Sequence, residues 1–277
     1  MVSSYLIDQV QTKPSVEPAL RKYQRRRKQE QEQQRNPVYI PPQAKATREA
    51  PDDELFDLTT RVNEFLSSDQ KVLLLLGDSG AGKSTFNMEL EMDLWNVYNN
   101  DKKRIPLFVT LPAIDKPEVD VVAKQLRKYD FSEAQIQELK SYHEFILICD
   151  GYDECQKKVN LYNSNRLNQP GDWKVKVVIS CRSEYLGSSY RLLFQPGNRN
   201  DLSGGALLQE AVIAPFSKDK SQDYIRQYVQ RHDSIKESTW DHEDYWHTIE
   251  SIPMPQDLVK NPFLLTLVLK VYCSLWI

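Results

Sequence analysis

The sequence predicts an α/β fold of three layers, a parallel sheet with helices on both faces, followed by a small helical domain. Three observations carry this. Short apolar runs at Val72–Leu76, Ile105–Thr110, the start of Glu144–Glu154, Lys174–Ser180 and Gln209–Ala214 alternate with helical stretches, and such alternation builds a parallel sheet covered on both sides. The apolar run that opens Glu144–Glu154 has the length and continuity of a strand buried on both faces. From Ser217 onward the period becomes helical, with Tyr224, Ile225, Tyr228 and Val229 on one face and a second apolar run at Leu258–Ile277.

Taken in order, residues 1–51 are polar, basic and punctuated by proline. Arg21–Arg35 holds seven cations against two glutamates, which reads as a flexible arm or solvated helix. The run Arg25–Lys28 also fits a nucleic-acid contact, but charge runs are usually solvated faces, so a nucleic-acid partner is not expected. Asp52–Phe65 spaces Leu55, Leu58, Val62 and Phe65 as an amphipathic helix with an acidic first turn. Phe86–Tyr98, Val119–Lys128 and Ser132–Tyr142 are the helices between strands, while the asparagine-rich Gln156–Trp173 reads as a surface loop near the carboxyl end of the sheet.

Chemistry concentrates at three strand ends. The segment Lys71–Thr85, KVLLLLGDSGAGKST, matches G-x-x-x-x-G-K-[ST] in full between a strand and a helix. Its glycines Gly77, Gly80 and Gly82 let backbone amides surround a phosphate, Lys83 adds a cation, and Ser84 is the expected magnesium ligand. The loop Gly77, Asp78, Ser79, Gly80, Ala81, Gly82, Lys83, Ser84 and Thr85 is therefore the expected binding site for a nucleoside triphosphate, at the positive end of a helix. At the second strand end, ICDGYDE places Asp150 where a carboxylate can hold magnesium, with Asp153 or Glu154 left to polarise water. At the third, Arg182 stands where it can sense a terminal phosphate.

These residues resemble the NACHT group of signal-transduction NTPases with numerous domains, a branch of the P-loop class. The resemblance runs from about Val38 to the C-terminus and rests on GDSGAGKS (Gly77–Ser84), ICDGYDE (Ile148–Glu154), ISCRS (Ile179–Ser183) and NPFLL (Asn261–Leu265). It implies phosphate binding by Gly82, Lys83, Ser84 and Thr85, magnesium at Asp150, and water activation by Asp153 with Glu154 in support. It also implies phosphate sensing by Arg182, contact of Pro262 with the base, and the strand order 5-1-4-3-2. Ser183 departs from the proline often found after that arginine. The implied organisation is a basic arm (1–51), a nucleotide-binding domain (52–216) and an incomplete helical domain (217–277). The winged-helix domain of such proteins has no counterpart in the sequence, so the chain reads as truncated.

The resemblance implies slow, magnesium-dependent hydrolysis of ATP, or GTP, as a signalling switch. A scaffold that binds nucleotide without turnover and a P-loop kinase of a small acceptor are the competing readings. A charged fraction of 27% and a net charge of −3, with no apolar stretch long enough to span a bilayer, fit a soluble protein. The first residues lack a secretory pattern, and the four cysteines have no metal or framework spacing, so a reducing cytoplasm is expected. The apolar run at Leu258–Ile277 predicts self-association or a protein partner.

Overall fold

The computed structural model describes residues 15–34, 38–197, 202–231, 240–251 and 257–275. The sequence expectations for residues 1–14, Arg35, Trp276 and Ile277 lie outside this set, as does the side chain of Cys273. Along the chain come α1 (Val16–Gln34), β1 (Gln43–Lys45), β2 (Phe56–Asp57), α2 (Leu58–Ser67), β3 (Val72–Gly77), α3 (Lys83–Asp101), β4 (Arg104–Thr110), α4 (Val121–Lys128) and α5 (Glu133–Tyr142). They are followed by β5 (Glu144–Asp150), α6 (Leu161–Ser164), β6 (Lys174–Arg182), β7 (Leu208–Ile213), α7 (Lys218–Arg231), α8 (His242–Ser251), α9 (Asp257–Lys260) and α10 (Pro262–Leu275).

The sheet runs β2-β1-β7-β3-β6-β5-β4. Its five long strands are parallel, in the order 5-1-4-3-2 when counted along the chain. The short β1 and β2 extend the β7 edge in antiparallel register. Alternation sorts β3 between the two faces: Val72, Leu74 and Leu76 enter one core, Leu73 and Leu75 the other. The first core also takes Val121, Val122, Ala123 and Leu126 of α4 with Ile136 and Leu139 of α5. The second takes Leu58, Val62 and Phe65 of α2 and Phe86, Leu90 and Leu94 of α3. Pro106 is tolerated within β4 because β4 pairs on one side only, with β5.

Three sequence expectations need correction. The basic N-terminal stretch is not a solvated arm where it is described: α1 buries Val16, Leu20, Tyr23, Arg27 and Gln31 along one stripe. Arg27 grips the fully buried Glu91 of α3 through Nη2 and Nε at 2.7 and 3.0 Å, and its guanidinium lies 4.5 Å from the centre of the Phe108 ring. The Tyr23 hydroxyl accepts the Phe108 amide at 3.1 Å. Hydropathy scoring counts Arg27 and Gln31 as solvent-facing, which hid the stripe.

The helix expected from Asp52 begins instead at Leu58. Phe56 and Asp57 are drawn into pairing with β1, and the Asp57 carboxylate caps α2 by accepting the Thr60 amide at 2.7 Å. The asparagine-rich segment is packed rather than loose: Leu161, Tyr162, Leu167 and Trp173 are in the core. Its asparagines serve the main chain. Asn165 accepts the Val121 amide at the start of α4 at 2.8 Å, and Asn168 both accepts the Val175 amide and donates to the Val175 carbonyl, each at 2.9 Å.

A third apolar cluster joins Tyr224, Ile225 and Tyr228 of α7, Tyr245, Trp246 and Ile249 of α8, and Leu265 and Leu269 of α10. Val38 and Ile40, from the stretch ahead of β1, belong to it as well. The helical unit is thereby seated beside the carboxyl end of β3.

Candidate nucleotide-binding site

At the carboxyl edge of the parallel sheet lies a cleft of about 570 Å³. Its floor is the turn between β3 and α3. Gly80 and Gly82 hold φ values of +76° and +94°, a region that strains any residue with a Cβ. This curl starts α3 at Lys83, so the free amides and positive dipole end of a 19-residue helix face the cleft. Residues Ser79, Gly80, Ala81, Gly82, Lys83, Ser84 and Thr85 line it; Gly77 and Asp78 stand just behind. Lys83 folds over the turn and donates to the Gly77 and Asp78 carbonyls at 2.7 and 2.8 Å. Burial pulls its ammonium below the ordinary lysine range, while nearby Asp153 works in the opposite direction.

Asp150 ends β5 beside this turn. Its Oδ1 accepts from Asn87 Nδ2 at 2.8 Å and from Ser180 Oγ at 2.6 Å, which leaves Oδ2 outside both bonds. The Ser180 hydroxyl in turn accepts the Gly151 amide at 3.1 Å. Gly151, at φ +81°, allows the sharp exit from the strand, and a Cβ there would press Pro112 at 3.3 Å.

Beyond it a single 3₁₀ turn, Tyr152–Glu154, carries the other two carboxylates. Asp153 is buried and fully engaged by one residue: Oδ1 accepts the Arg182 amide at 3.0 Å and Oδ2 pairs with the Arg182 guanidinium at 3.1 Å. Glu154 is more open, its side chain 54% exposed, and meets the same guanidinium at 3.4 Å. The residues expected to activate water and to sense phosphate are thus bound to one another. Lys158 holds this turn from below, donating to the Tyr152 carbonyl at 3.0 Å and to the Asp153 carbonyl.

The helical unit closes one side of the cleft. Pro262, Phe263, Thr266, Leu267 and Lys270 of α10 line it together with Tyr228 of α7. Next to it opens a narrow apolar recess between Val38, Tyr39, Ile40 and Pro42 on one side and Ala81, Gly82, Thr85, Phe216, Tyr224 and Pro262 on the other. Pro262, singled out from the sequence, lies where the two spaces meet.

Sequence reasoning missed Asn87, Ser180, Lys158 and the Val38–Pro42 wall. The polar Ser180 beside the apolar Val177–Ile179 was the one available signal; the others depend on contacts between distant segments. Cys149, Cys155 and Cys181 are buried, unpaired thiols, and burial pushes each above the usual thiol range.

A phosphate-type loop between strand and helix, an acidic strand two places along the sheet, and this strand order define a P-loop NTPase fold. Within that class, the NACHT domain family model matches residues 71–232, more than half of the chain, and the chain belongs to the NACHT family. No match was found among curated proteins.

Three solved structures are similar in part. The RuvB Holliday junction branch migration motor of Thermotoga maritima has 15% identity over 76% of this chain and 65% of that one, with a TM-score of 0.38. PCH-2 of C. elegans has 17% identity over 72% and 50%, TM-score 0.36. A signal transduction ATPase with numerous domains from Pyrococcus horikoshii, with a tetratricopeptide repeat sensor, has 16% identity over 80% and 33%, TM-score 0.34. The chain spans less than two thirds of the length of each. Among the described residues, no helix is long and apolar enough to cross a membrane.

Proposed function

We propose that this chain binds a purine nucleoside triphosphate with magnesium, ATP before GTP, and hydrolyses it slowly as a switch in signalling. The observation that carries the reading is convergence: the Lys83 loop, Asp150, the Glu154–Arg182 pair and a small apolar recess at Pro262 all border one cleft. The phosphates fit the loop amides and Lys83, and the base is assigned to the side of Pro262 and the Val38–Ile40 wall, where the recess of about 40 Å³ must widen to take it. Pro262 and the loop residues Gly77 to Thr85 remain the proposed contacts.

The donors suit magnesium. Asp150 offers an oxygen that makes no other bond and Ser84 a hydroxyl, both hard ligands with room for water and phosphate oxygens. When bound, the ion neutralises charge on the phosphates. The remaining work belongs to the chain. Lys83 leaves its two carbonyl partners for the phosphates and stabilises charge on the transferring group in a site partly shielded from water. Glu154, the freer of the two carboxylates, orients and deprotonates the attacking water. Asp153 fixes Arg182, main chain and guanidinium together, so that its positive charge faces the terminal phosphate. Turnover is slow because Arg182 must give up part of its acidic pairing to do this.

The cytoplasm is the proposed compartment, and the helical unit the proposed contact for protein partners or for self-association. Incubating the protein with radiolabelled ATP and magnesium, then measuring retained nucleotide and released ADP, tests the function. Retained ATP with slow ADP formation, both abolished by Lys83→Ala, is the expected result. Retention without ADP would leave a nucleotide-binding scaffold, and absence of retention would end the nucleotide reading.

A further inference from the structure

The helical unit reaches the phosphate loop through the Asn261 side chain. Asn261 precedes α10 and caps it: its Oδ1 accepts the Phe263 and Leu264 amides at 3.1 and 3.2 Å. The same amide group also reaches across the cleft edge, where Nδ2 donates to the Ser79 carbonyl at 2.8 Å. Behind Asn261 the chain is anchored, because the Lys260 carbonyl accepts the Phe216 amide at 2.8 Å and the Val259 carbonyl accepts from Ser221 Oγ at 2.9 Å. A group fixed on the helical unit therefore holds one peptide of the loop.

Gly80 bears this out independently. The phosphate-loop pattern requires glycine at Gly77 and Gly82 but leaves the position of Gly80 open. Here a Cβ on Gly80 would stand 2.7 Å from Asn261 Oδ1 and 3.0 Å from the Phe263 Cβ, in addition to the strain of φ +76°. The loop is bare at this point where the start of α10 lies against it.

We propose that Asn261 is a positioning residue for the phosphate loop, coupling the orientation of the Ser79–Gly80 peptide to the docking of the helical unit. A trans peptide sets its N–H opposite its C=O, so drawing the Ser79 carbonyl toward α10 fixes the direction of the Gly80 amide. The coupling runs both ways: a ligand that needs this loop geometry favours the docked helical unit, and undocking loosens the ligand. The second half of this statement rests on the nucleotide reading above, whereas the first does not.

Two variants separate the tie from the cap. Asn261→Ser keeps a good capping oxygen but is too short to reach Ser79, while Asn261→Ala loses both roles. The expected result for Asn261→Ser is a melting temperature lowered by less than in Asn261→Ala, with faster amide hydrogen exchange over residues 78–82 in the nucleotide-free protein. Release of a fluorescent ATP analogue should also speed up about two- to tenfold, the range for one lost hydrogen bond. Asn261→Ala should show the same loop effects with a lowered melting temperature. Parental loop exchange in Asn261→Ser would overturn the tie, whether or not nucleotide binds. Faster loop exchange with unchanged release would confine Asn261 to the empty loop and overturn the coupling to ligand. If the parental protein binds no nucleotide, the coupling to ligand is overturned with the nucleotide reading, and loop exchange alone decides the tie.

Discussion

The buried pair between Arg27 and Glu91 offers a quantitative test of how α1 is held. Glu91 is fully buried, and its carboxylate receives Arg27 through Nη2 at 2.7 Å and Nε at 3.0 Å, with Gln31 Nε2 as a third donor. Burial pushes the Glu91 carboxyl above the ordinary glutamate range, against the pull of Arg27. Two opposite charges about 4 Å apart in a medium of effective dielectric about 20 gain about 4 kcal/mol, while removing each from water costs several. The pair is therefore near balance as a whole, yet either member alone is an uncompensated buried charge. Arg27→Met should destabilise the protein by about 3 to 5 kcal/mol. The double replacement Arg27→Met with Glu91→Leu should recover most of that loss. Urea unfolding followed by tryptophan fluorescence is a suitable assay, since Trp95 stands one turn from Glu91 and packs on Tyr23 at 5.8 Å between ring centres. If Arg27→Met costs less than about 1 kcal/mol, the level of an exposed pair such as Arg26–Glu30, then α1 is not held by this pair.

The site makes further predictions. Lys83→Ala should weaken binding of a fluorescent ATP analogue about ten- to a hundredfold, the worth of a charge-assisted bond to phosphate; unchanged affinity would contradict the phosphate-loop reading. Asp150→Asn should flatten the magnesium dependence of that binding while affinity in EDTA stays parental, as a magnesium titration of each protein would reveal. Glu154→Gln should lower ATP turnover about a hundredfold or more with binding kept, and Asp153→Asn should lower it as well by releasing Arg182. Parental phosphate release from both variants would place the chemistry elsewhere.

How legible the sequence was differs by kind of interaction. Strands β3 and β5 stood out because burial on both faces leaves continuous apolar runs, and the phosphate loop because its geometry demands glycines at fixed spacing. The order of the strands came only from family resemblance, since spacing along the chain carries no record of lateral neighbours. Strands β1 and β2, three and two residues long, are too short to show a period. Helix α1 was hidden for a different reason: its buried stripe satisfies a charge with a charge, and composition cannot distinguish Arg27, which meets Glu91, from Arg25, which meets solvent. Asn165 and Asn168 misled in the same way, being polar because they replace missing main-chain partners rather than because they face water. The pairing of Asp153 with Arg182 joins two strand ends, and neither motif alone implies it.

Helix α3 connects these separate facts. Lys83, Asn87, Glu91 and Trp95 follow one another at intervals of four residues, so they lie along one slowly winding row of the helix. Lys83 binds the loop carbonyls, Asn87 the Asp150 carboxylate, Glu91 the Arg27 guanidinium, and Trp95 the Tyr23 ring. Asn87 and Glu91 are polar residues with no exposed surface, and each bonds a partner from a different element, Asn87 through Nδ2 alone. A slip of α3 by one residue would break both contacts at once and leave two buried polar groups without partners, at about 1 to 3 kcal/mol or more each. Apolar packing alone tolerates such slips more readily, because leucines at Leu90 and Leu94 make no directional bonds. The polar row therefore fixes the axial position of the helix, and with it the height at which Lys83 and the first-turn amides meet the cleft. The same contacts that hold the N-terminal helix in place set the phosphate loop against the end of the acidic strand.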